Sequence, residues 1–256
     1  MWNPVKYLEF ADERSRPFFD LAARVAAGDP QMVVDLGCGP GRLTAMLAER
    51  WPKAAILGVD SSPEMIERAA EHRSEQVTFQ LQDLREWRPE QPVEVIISNA
   101  ALQWVPEHRA LLPGLLGHLT EDGWLAFQVP GNFAEPSHIL LRELAAAPPF
   151  APHLIGVAWP DADSAETYLD DLVQNGCRVE AWETTYLHVL EGVDPVFSWI
   201  SATGARPVLD ALPDSVRGEF ESEYRSRLRA AYPSRPYGTL LRFRRIFVVA
   251  HQQARQ

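Results

Sequence analysis

The chain has little cysteine. Its 256 residues hold two, Cys38 and Cys177, whose spacing suits neither a metal nor a redox pair. Neither demands an oxidising compartment. Lysine is equally scarce: Lys6 and Lys53 are the only two, so almost every cation is a guanidinium. Long apolar runs are missing too. The longest stretches, Val93–Ser98 and Trp124–Val129, have strand length and are far too short to cross a bilayer. The opening Met1-Trp2-Asn3-Pro4 shows no basic region followed by an apolar run, so no secretory signal is expected. These absences make a cytoplasmic protein, without membrane association or metal centre, the expectation.

Positive charge is also in deficit. A formal net charge of −11 opposes a sequence-independent grip on nucleic acid or on an anionic membrane. The deficit is uneven, because Arg206–Gln256 carries ten arginines against five acids. One explanation is genome composition plus a solvated helix face. The other is that a few of these arginines face a pocket for an anion, since guanidinium forks match carboxylates in a way lysine cannot. The sequence leaves both open.

What is present is a hydrophobic share of 46%, enough for the core of one large α/β domain. The first half alternates short apolar runs with amphipathic segments, the pattern of βαβ units around a parallel sheet. Strands are expected at Met32–Leu36, Ala55–Val59, Val77–Gln80, Val93–Ser98 and Trp124–Val129, the last preceded by the turn signal Glu121-Asp122-Gly123. Ser61-Ser62-Pro63-Glu64 reads as a helix start: hydroxyl cap, proline in the first turn, acid near the positive end of the dipole. Beyond Gly131, prolines 136, 148, 149, 152 and 160 rule out one long helix. A helix at Ala165–Gln174 closed by Asn175-Gly176 follows, then a strand at Arg178–Leu190, a charged helix at Pro213–Tyr232 and a strand at Arg242–Ala250.

At the first strand–helix junction stands Asp35-Leu36-Gly37-Cys38-Gly39-Pro40-Gly41. Glycines there let the backbone turn tightly and approach a ligand, and in an open parallel sheet this edge is where ligands bind. The spacing is G-x-G-x-G, not the G-x-G-x-x-G of dinucleotide sites. An acid stands two residues before the first glycine, and Pro40 removes an amide donor. A pyrophosphate needs donors and no nearby carboxylate, so a nicotinamide-dependent oxidoreductase is disfavoured. S-adenosylmethionine (SAM) has an ammonium, a sulfonium, a ribose and an adenine, and no phosphate.

The other strand ends suit the remaining parts of SAM. Asp60 is placed to accept the ribose hydroxyls, Asp83 to reach the adenine amino group, and Asn99 to lie beside the sulfonium. Each alone is readily explained as a solvated loop residue or helix cap. Four polar groups at four successive strand ends are harder to explain that way. The expected cofactor set is Asp35, Gly37, Gly39, Gly41, Asp60, Ser61, Asp83, Leu84 and Asn99. Cys38 is given no chemistry.

After the fourth strand comes Asn99-Ala100-Ala101-Leu102-Gln103-Trp104, without the paired prolines usual where amide or adenine nitrogens are methylated. The pattern looks like that of small-molecule methyltransferases. The whole chain resembles the bacterial trans-aconitate 2-methyltransferase family. The matching stretches include Trp2-Asn3-Pro4, Glu13-Arg14-Ser15-Arg16-Pro17, Asn99 through Val105, Glu135-Pro136-Ser137-His138, Thr184-Thr185-Tyr186-Leu187-His188 and Ala202-Thr203-Gly204-Ala205-Arg206-Pro207.

That resemblance implies a Rossmann-like class I methyltransferase fold: α/β, with a mixed, mostly parallel seven-stranded sheet, helices on both faces and a helical cap. It implies methyl esterification of a small polycarboxylate, trans-aconitate, with S-adenosylhomocysteine as the other product. A carboxylate is already ionised at neutral pH, so no general base and no catalytic side chain is expected. The acceptor set expected on this reading is Tyr7, Arg16, Trp104, Tyr186, His188, Arg206 and Arg244. Against it, Arg16 serves equally as a helix cap, Trp104 as core and His188 as a satisfied surface histidine. Another small acceptor, or a non-catalytic SAM-binding protein, stays open, as does monomer against homodimer. The chain is expected to be one domain: residues 1–30 a helical segment over the active site, 31–131 the SAM-binding core, 132–164 a cap segment, and 191–241 a helical insert between the last two strands.

Overall fold

The computed structural model describes residue 13 and residues 15–253. A seven-stranded, mixed and mostly parallel sheet runs in the order β3-β2-β1-β4-β5-β7-β6. The strands are β1 (Met32–Leu36), β2 (Ala55–Asp60), β3 (Val77–Leu81), β4 (Val93–Asn99), β5 (Leu119–Pro130), β6 (Cys177–Leu190) and β7 (Thr239–Gln252). The first five pair in parallel, with Asp35 opposite both Gly58 and Ile97, Asp60 opposite Leu81, and Asn99 opposite Gln128. Their carboxyl ends therefore form one rim. β1 and β4 read as nearly unbroken apolar runs because they are buried, as parallel strands covered on both faces must be.

The expected helix start at Ser62 is real. Its hydroxyl accepts from the Met65 amide at 3.4 Å, with Pro63 in the first turn of α3 (Pro63–Ala69). α1 (Arg16–Ala22) precedes β1, and α2 (Arg42–Arg50) follows the glycine loop. The helix expected at 165–174 has those limits, capped by the Ser164 hydroxyl and ended by Gly176 at φ +83°.

One turn signal is used otherwise. Glu121-Asp122-Gly123 does not precede the fifth strand but lies inside β5 as an irregularity, Val93 pairing with Leu119 and Val95 with Trp124. Three more residues are thereby accommodated on β5 than on β4. A Cβ on Gly123 would stand 2.8 Å from that of Leu119, so only glycine fits the crowded bend.

The chain forms two compact units. Unit one holds the described residues up to Val129, Asp163–Thr184 and those from Ile246. Unit two is Pro130–Ala162 with Thr185–Arg245. The expected segment 132–164 falls in unit two except for its last two residues, and 191–241 falls there entirely. Unit two has its own core, in which the long helix Asp214–Ala231 buries Phe220, Tyr224 and Leu228 at four-residue spacing. The Tyr224 hydroxyl donates to the Ser137 carbonyl at 2.8 Å, and the Ser137 amide donates to the Tyr232 hydroxyl at 3.0 Å. Among the described residues no helix is long and apolar enough to cross a membrane.

Candidate active site

The glycine loop leaves β1 in left-handed backbone: Gly37, Gly39 and Gly41 have φ of +78°, +55° and +79°. The amides of Gly37 and Cys38 both donate to the Val59 carbonyl, at 2.7 and 3.0 Å, which pins the loop to β2. At Gly37 a Cβ would sit 2.2 Å from that of Ala101, so this glycine is needed for close backbone approach. Gly39 meets nothing within 4 Å on its open side, leaving room for a ligand over the middle of the loop.

Asp35, Asp60 and Asn99 stand at the carboxyl ends of their strands, and Asp83 two residues beyond the end of β3. Asp60 Oδ2 accepts from the Gly39 amide and Oδ1 from the Ser62 amide, both at 2.9 Å. Asp35, 2% exposed, accepts from the Thr44 hydroxyl at 2.6 Å. Burial pushes its carboxyl up to about 7; the Thr44 bond opposes this and the Asp60 charge adds to it. Asp83 accepts from the Arg85 backbone amide at 2.8 Å and from its guanidinium, a partner that holds the carboxyl below the usual range. Ser61 is exposed and Leu84 half-buried beside their aspartates. Asn99 Oδ1 is buried and makes no hydrogen bond.

The next residue, Ala100, holds φ +55°, which costs a side-chain-bearing residue roughly 1–3 kcal/mol. Two bonds keep it there: its amide donates to the Gln128 carbonyl at 2.8 Å, and its carbonyl accepts from Gln103 Nε2 at 2.5 Å. Gln103 Oε1 is buried without a partner. Two buried acceptor atoms thus mark the exit of β4, one on its last residue, Asn99, and one on Gln103 just beyond. Cys38 is buried and its thiol is pushed up, chiefly by burial, which leaves it inert.

The acceptor candidates are more dispersed. Tyr7 lies outside the described residues. In unit one, Arg16 opens the helix Arg16–Ala22 beside Asp20 at 3.9 Å, and Trp104 is exposed in a short turn of 3₁₀-helix. In unit two, Tyr186 and His188 are buried on β6, their rings parallel at 6.2 Å, and His188 stacks on Trp199 at 4.7 Å. Arg206 is 55% exposed and pairs with Asp210 one turn on, at 3.3 Å. Arg244 Nε donates to the Gly131 carbonyl at 2.7 Å.

Two residues carry no mark in the sequence. Thr44 lies nine residues beyond its carboxylate, and Arg245, 5% exposed, is buried beside two more open arginines of the same strand. Only the pleat separates it from Arg244. Among the described residues, no group of three His, Cys, Asp or Glu is placed to hold a metal ion.

Residues 33–123 match the family model for a methyltransferase domain. A trans-aconitate 2-methyltransferase of Streptomyces avermitilis is 48% identical, covering 99% of this chain and 97% of its own. One from Rhodococcus jostii is 49% identical, covering 99% and 100%. Among solved structures, an S-adenosylmethionine dependent methyltransferase from Mesorhizobium loti covers 95% of this chain and 99% of its own at 22% identity and a TM-score of 0.52, a likeness of fold. With nearly half its residues identical over its whole length, the chain belongs to the trans-aconitate 2-methyltransferase family.

Proposed function

We propose that the chain transfers a methyl group from SAM to a carboxylate of trans-aconitate, giving the monomethyl ester and S-adenosylhomocysteine. The observation that carries this reading is the full-length identity of 48–49% to relatives bearing that name. The rim supplies its physical basis. A carboxylate-lined edge suits a cationic nucleoside and opposes a pyrophosphate. The open space over Gly39 and the unpaired Asn99 oxygen leave room and a polar contact for it.

In this assignment Asp60 and Ser61 hold the ribose, Asp83 and Leu84 the adenine, and Asp35 with Gly37, Gly39 and Gly41 the amino-acid end. Asn99 lies toward the sulfonium. When bound, SAM supplies an electrophilic methyl group. The acceptor oxygen is ionised at neutral pH, so no side chain need remove a proton. The chain's contribution is alignment and exclusion of water, which supply roughly 7–11 kcal/mol of rate enhancement. Tyr7, Arg16, Trp104, Tyr186, His188, Arg206 and Arg244 are assigned to the acceptor, each charge-assisted hydrogen bond contributing about 1.5–3 kcal/mol. Residues 31–131 are the cofactor core, with 1–30, 132–164 and 191–241 serving the acceptor. We assign the cytoplasm as compartment, to which two free, buried cysteines are suited.

The test is methyl-labelled SAM incubated with the chain and acids of one, two and three carboxylates, with products identified by mass spectrometry. Labelled monomethyl trans-aconitate, formed in clear preference to the smaller acids, is expected. Bound SAM without transfer, or indifference to the number of carboxylates, overturns the reading.

A further inference from the structure

We infer that Gln103 is a positioning residue for the methyl donor: its side-chain amide holds Ala100 in left-handed backbone, and that turn keeps Ala101 against the glycine loop and fixes where Asn99 stands. This rests on the proposal that the rim binds SAM and goes beyond its set of cofactor residues. Gln103 acts through Ala100 and is given no contact with SAM itself.

The chain leaves β4 abruptly. Asn99 is the last residue of the strand and lies opposite Gln128. The Ala100 amide makes one more bond to β5, donating to the Gln128 carbonyl at 2.8 Å. Ala100 itself then takes φ +55°. Nothing in an alanine favours that conformation, because its Cβ stands too close to the following carbonyl, a cost glycine escapes.

Gln103 supplies what the alanine lacks. A turn of 3₁₀-helix over Leu102–Trp104, closed by the Trp104 amide on the Ala101 carbonyl at 3.0 Å, folds the chain back on itself. Gln103 Nε2 thereby reaches the Ala100 carbonyl at 2.5 Å. Gln103 is 5% exposed, and its Oε1 is buried without a hydrogen bond. Burying an amide with one end unsatisfied is costly, and packing alone would favour an apolar side chain of the same length. The end that is satisfied is the donor, on the carbonyl of the strained residue.

The consequence falls on the glycine loop. Ala101 puts its methyl where Gly37 would carry a Cβ, the two positions lying 2.2 Å apart. Gly37 is pinned in turn to β2, its amide donating to the Val59 carbonyl at 2.7 Å. Were Ala100 to relax into right-handed or extended backbone, the peptides before and after it would change their relative direction. Ala101 and Asn99 could not then both keep their places, and Asn99 and Gly37 belong to the proposed cofactor set.

A double-mutant cycle on the full chain tests this: wild type, Gln103→Met, Ala100→Gly and the two together. Methionine keeps the length and removes the donor, whereas glycine adopts left-handed backbone without help. Each protein is measured for SAM affinity by calorimetry, for KM with trans-aconitate and for thermal unfolding. Gln103→Met is expected to weaken SAM binding at least about fivefold, since only molecules that keep the turn are competent to bind. The KM for the acid is expected to stay within about twofold. In the Ala100→Gly background the same substitution is expected to weaken SAM binding by less than about twofold. Wild-type SAM affinity in a folded Gln103→Met protein overturns the inference. So does a loss of equal size in both backgrounds, the mark of a side chain that only fills space. Should Gln103→Met alone fail to fold, the double variant decides: SAM affinity within about twofold of Ala100→Gly is expected, and weaker binding or failure to fold overturns the inference. A wild-type chain that does not bind SAM overturns the proposed cofactor site and this inference with it. A wild type that binds SAM, with variants that bind it equally well, overturns this inference alone.

Discussion

Gly39 donates its amide hydrogen to Asp60 Oδ2 at 2.9 Å, tying the middle of the glycine loop to the end of the neighbouring strand. The other carboxylate oxygen takes the Ser62 amide, at the start of the next helix. One side chain thus holds the loop, the strand end and the helix entry in register. The loop's shape and the proposed ribose contact depend on the same group.

Gly37 tolerates no side chain. An added Cβ meets Ala101 at 2.2 Å, and the backbone is left-handed as well. Gly37→Ala is expected to lower stability by at least about 2 kcal/mol, combining overpacking with backbone strain. Urea unfolding measures this; a change under about 0.5 kcal/mol contradicts the packing described.

Asp35 links stability to pH. In the unfolded chain an aspartate titrates near about 3.9, whereas here burial pushes it up to about 7. Between those values the native state holds a proton that the unfolded chain has lost. The protonated group's contribution is therefore complete below about pH 4 and is lost as pH rises through about 7. Asp35→Asn keeps an acceptor for Thr44 and removes the titration. Relative to wild type it is expected to gain stability from pH 4 to 8; on the proposed assignment, SAM affinity is expected to rise with pH in wild type as Asp35 ionises and to stay flat in the variant. Parallel stability curves for the two proteins contradict this.

A buried pair supports the segment after β4. His108 Nε2 and the Tyr168 hydroxyl are 2.6 Å apart, and the same hydroxyl accepts from the Asp163 amide at 3.0 Å. Tyr168→Phe leaves these groups short of a partner and is expected to cost about 1–3 kcal/mol. At about 2–4 °C per kcal/mol for a chain of this size, the melting temperature falls several degrees. An unchanged melting temperature shows that the bond contributes nothing.

Arg206 is exposed, and its pair with Asp210 is a solvent-screened one within a helix. Arg206→Ala is expected to alter stability by less than about 0.5 kcal/mol. Its effect on catalysis is then read cleanly: a raised KM for the tricarboxylate with that for SAM unmoved. If both constants stay at wild-type values, Arg206 has no part in acceptor binding.

The rim was legible in the sequence because parallel strands announce their ends. Apolar runs stop at or near a polar residue, and parallel pairing brings those ends to one edge, so the strand ends that carry Asp35, Asp60, Asp83 and Asn99 share one side of the sheet. The cap at Ser62 and the stop at Gly176 are equally local, each set within a few residues. Contacts that depend on facing directions were not legible. Thr44 becomes the partner of Asp35 only when α2 turns its first buried residue under β1. Glu121-Asp122-Gly123 has the composition of a turn, but pairing with β4 holds it in a strand. Arg244 and Arg245 are indistinguishable by composition and differ through the pleat alone. The left-handed conformation at Ala100 is imposed by Gln103 and Gln128, side chain and backbone groups that no local rule connects to an alanine.

The most direct measurement is calorimetric titration of SAM into the wild-type chain and into Asp60→Ala, with both folds checked by circular dichroism. Wild type should bind SAM and ignore a nicotinamide dinucleotide. The variant should keep its fold and lose at least about tenfold in affinity, the value of a charge-assisted hydrogen bond. Equal affinity in the two proteins would show that this row of acids does not hold the methyl donor.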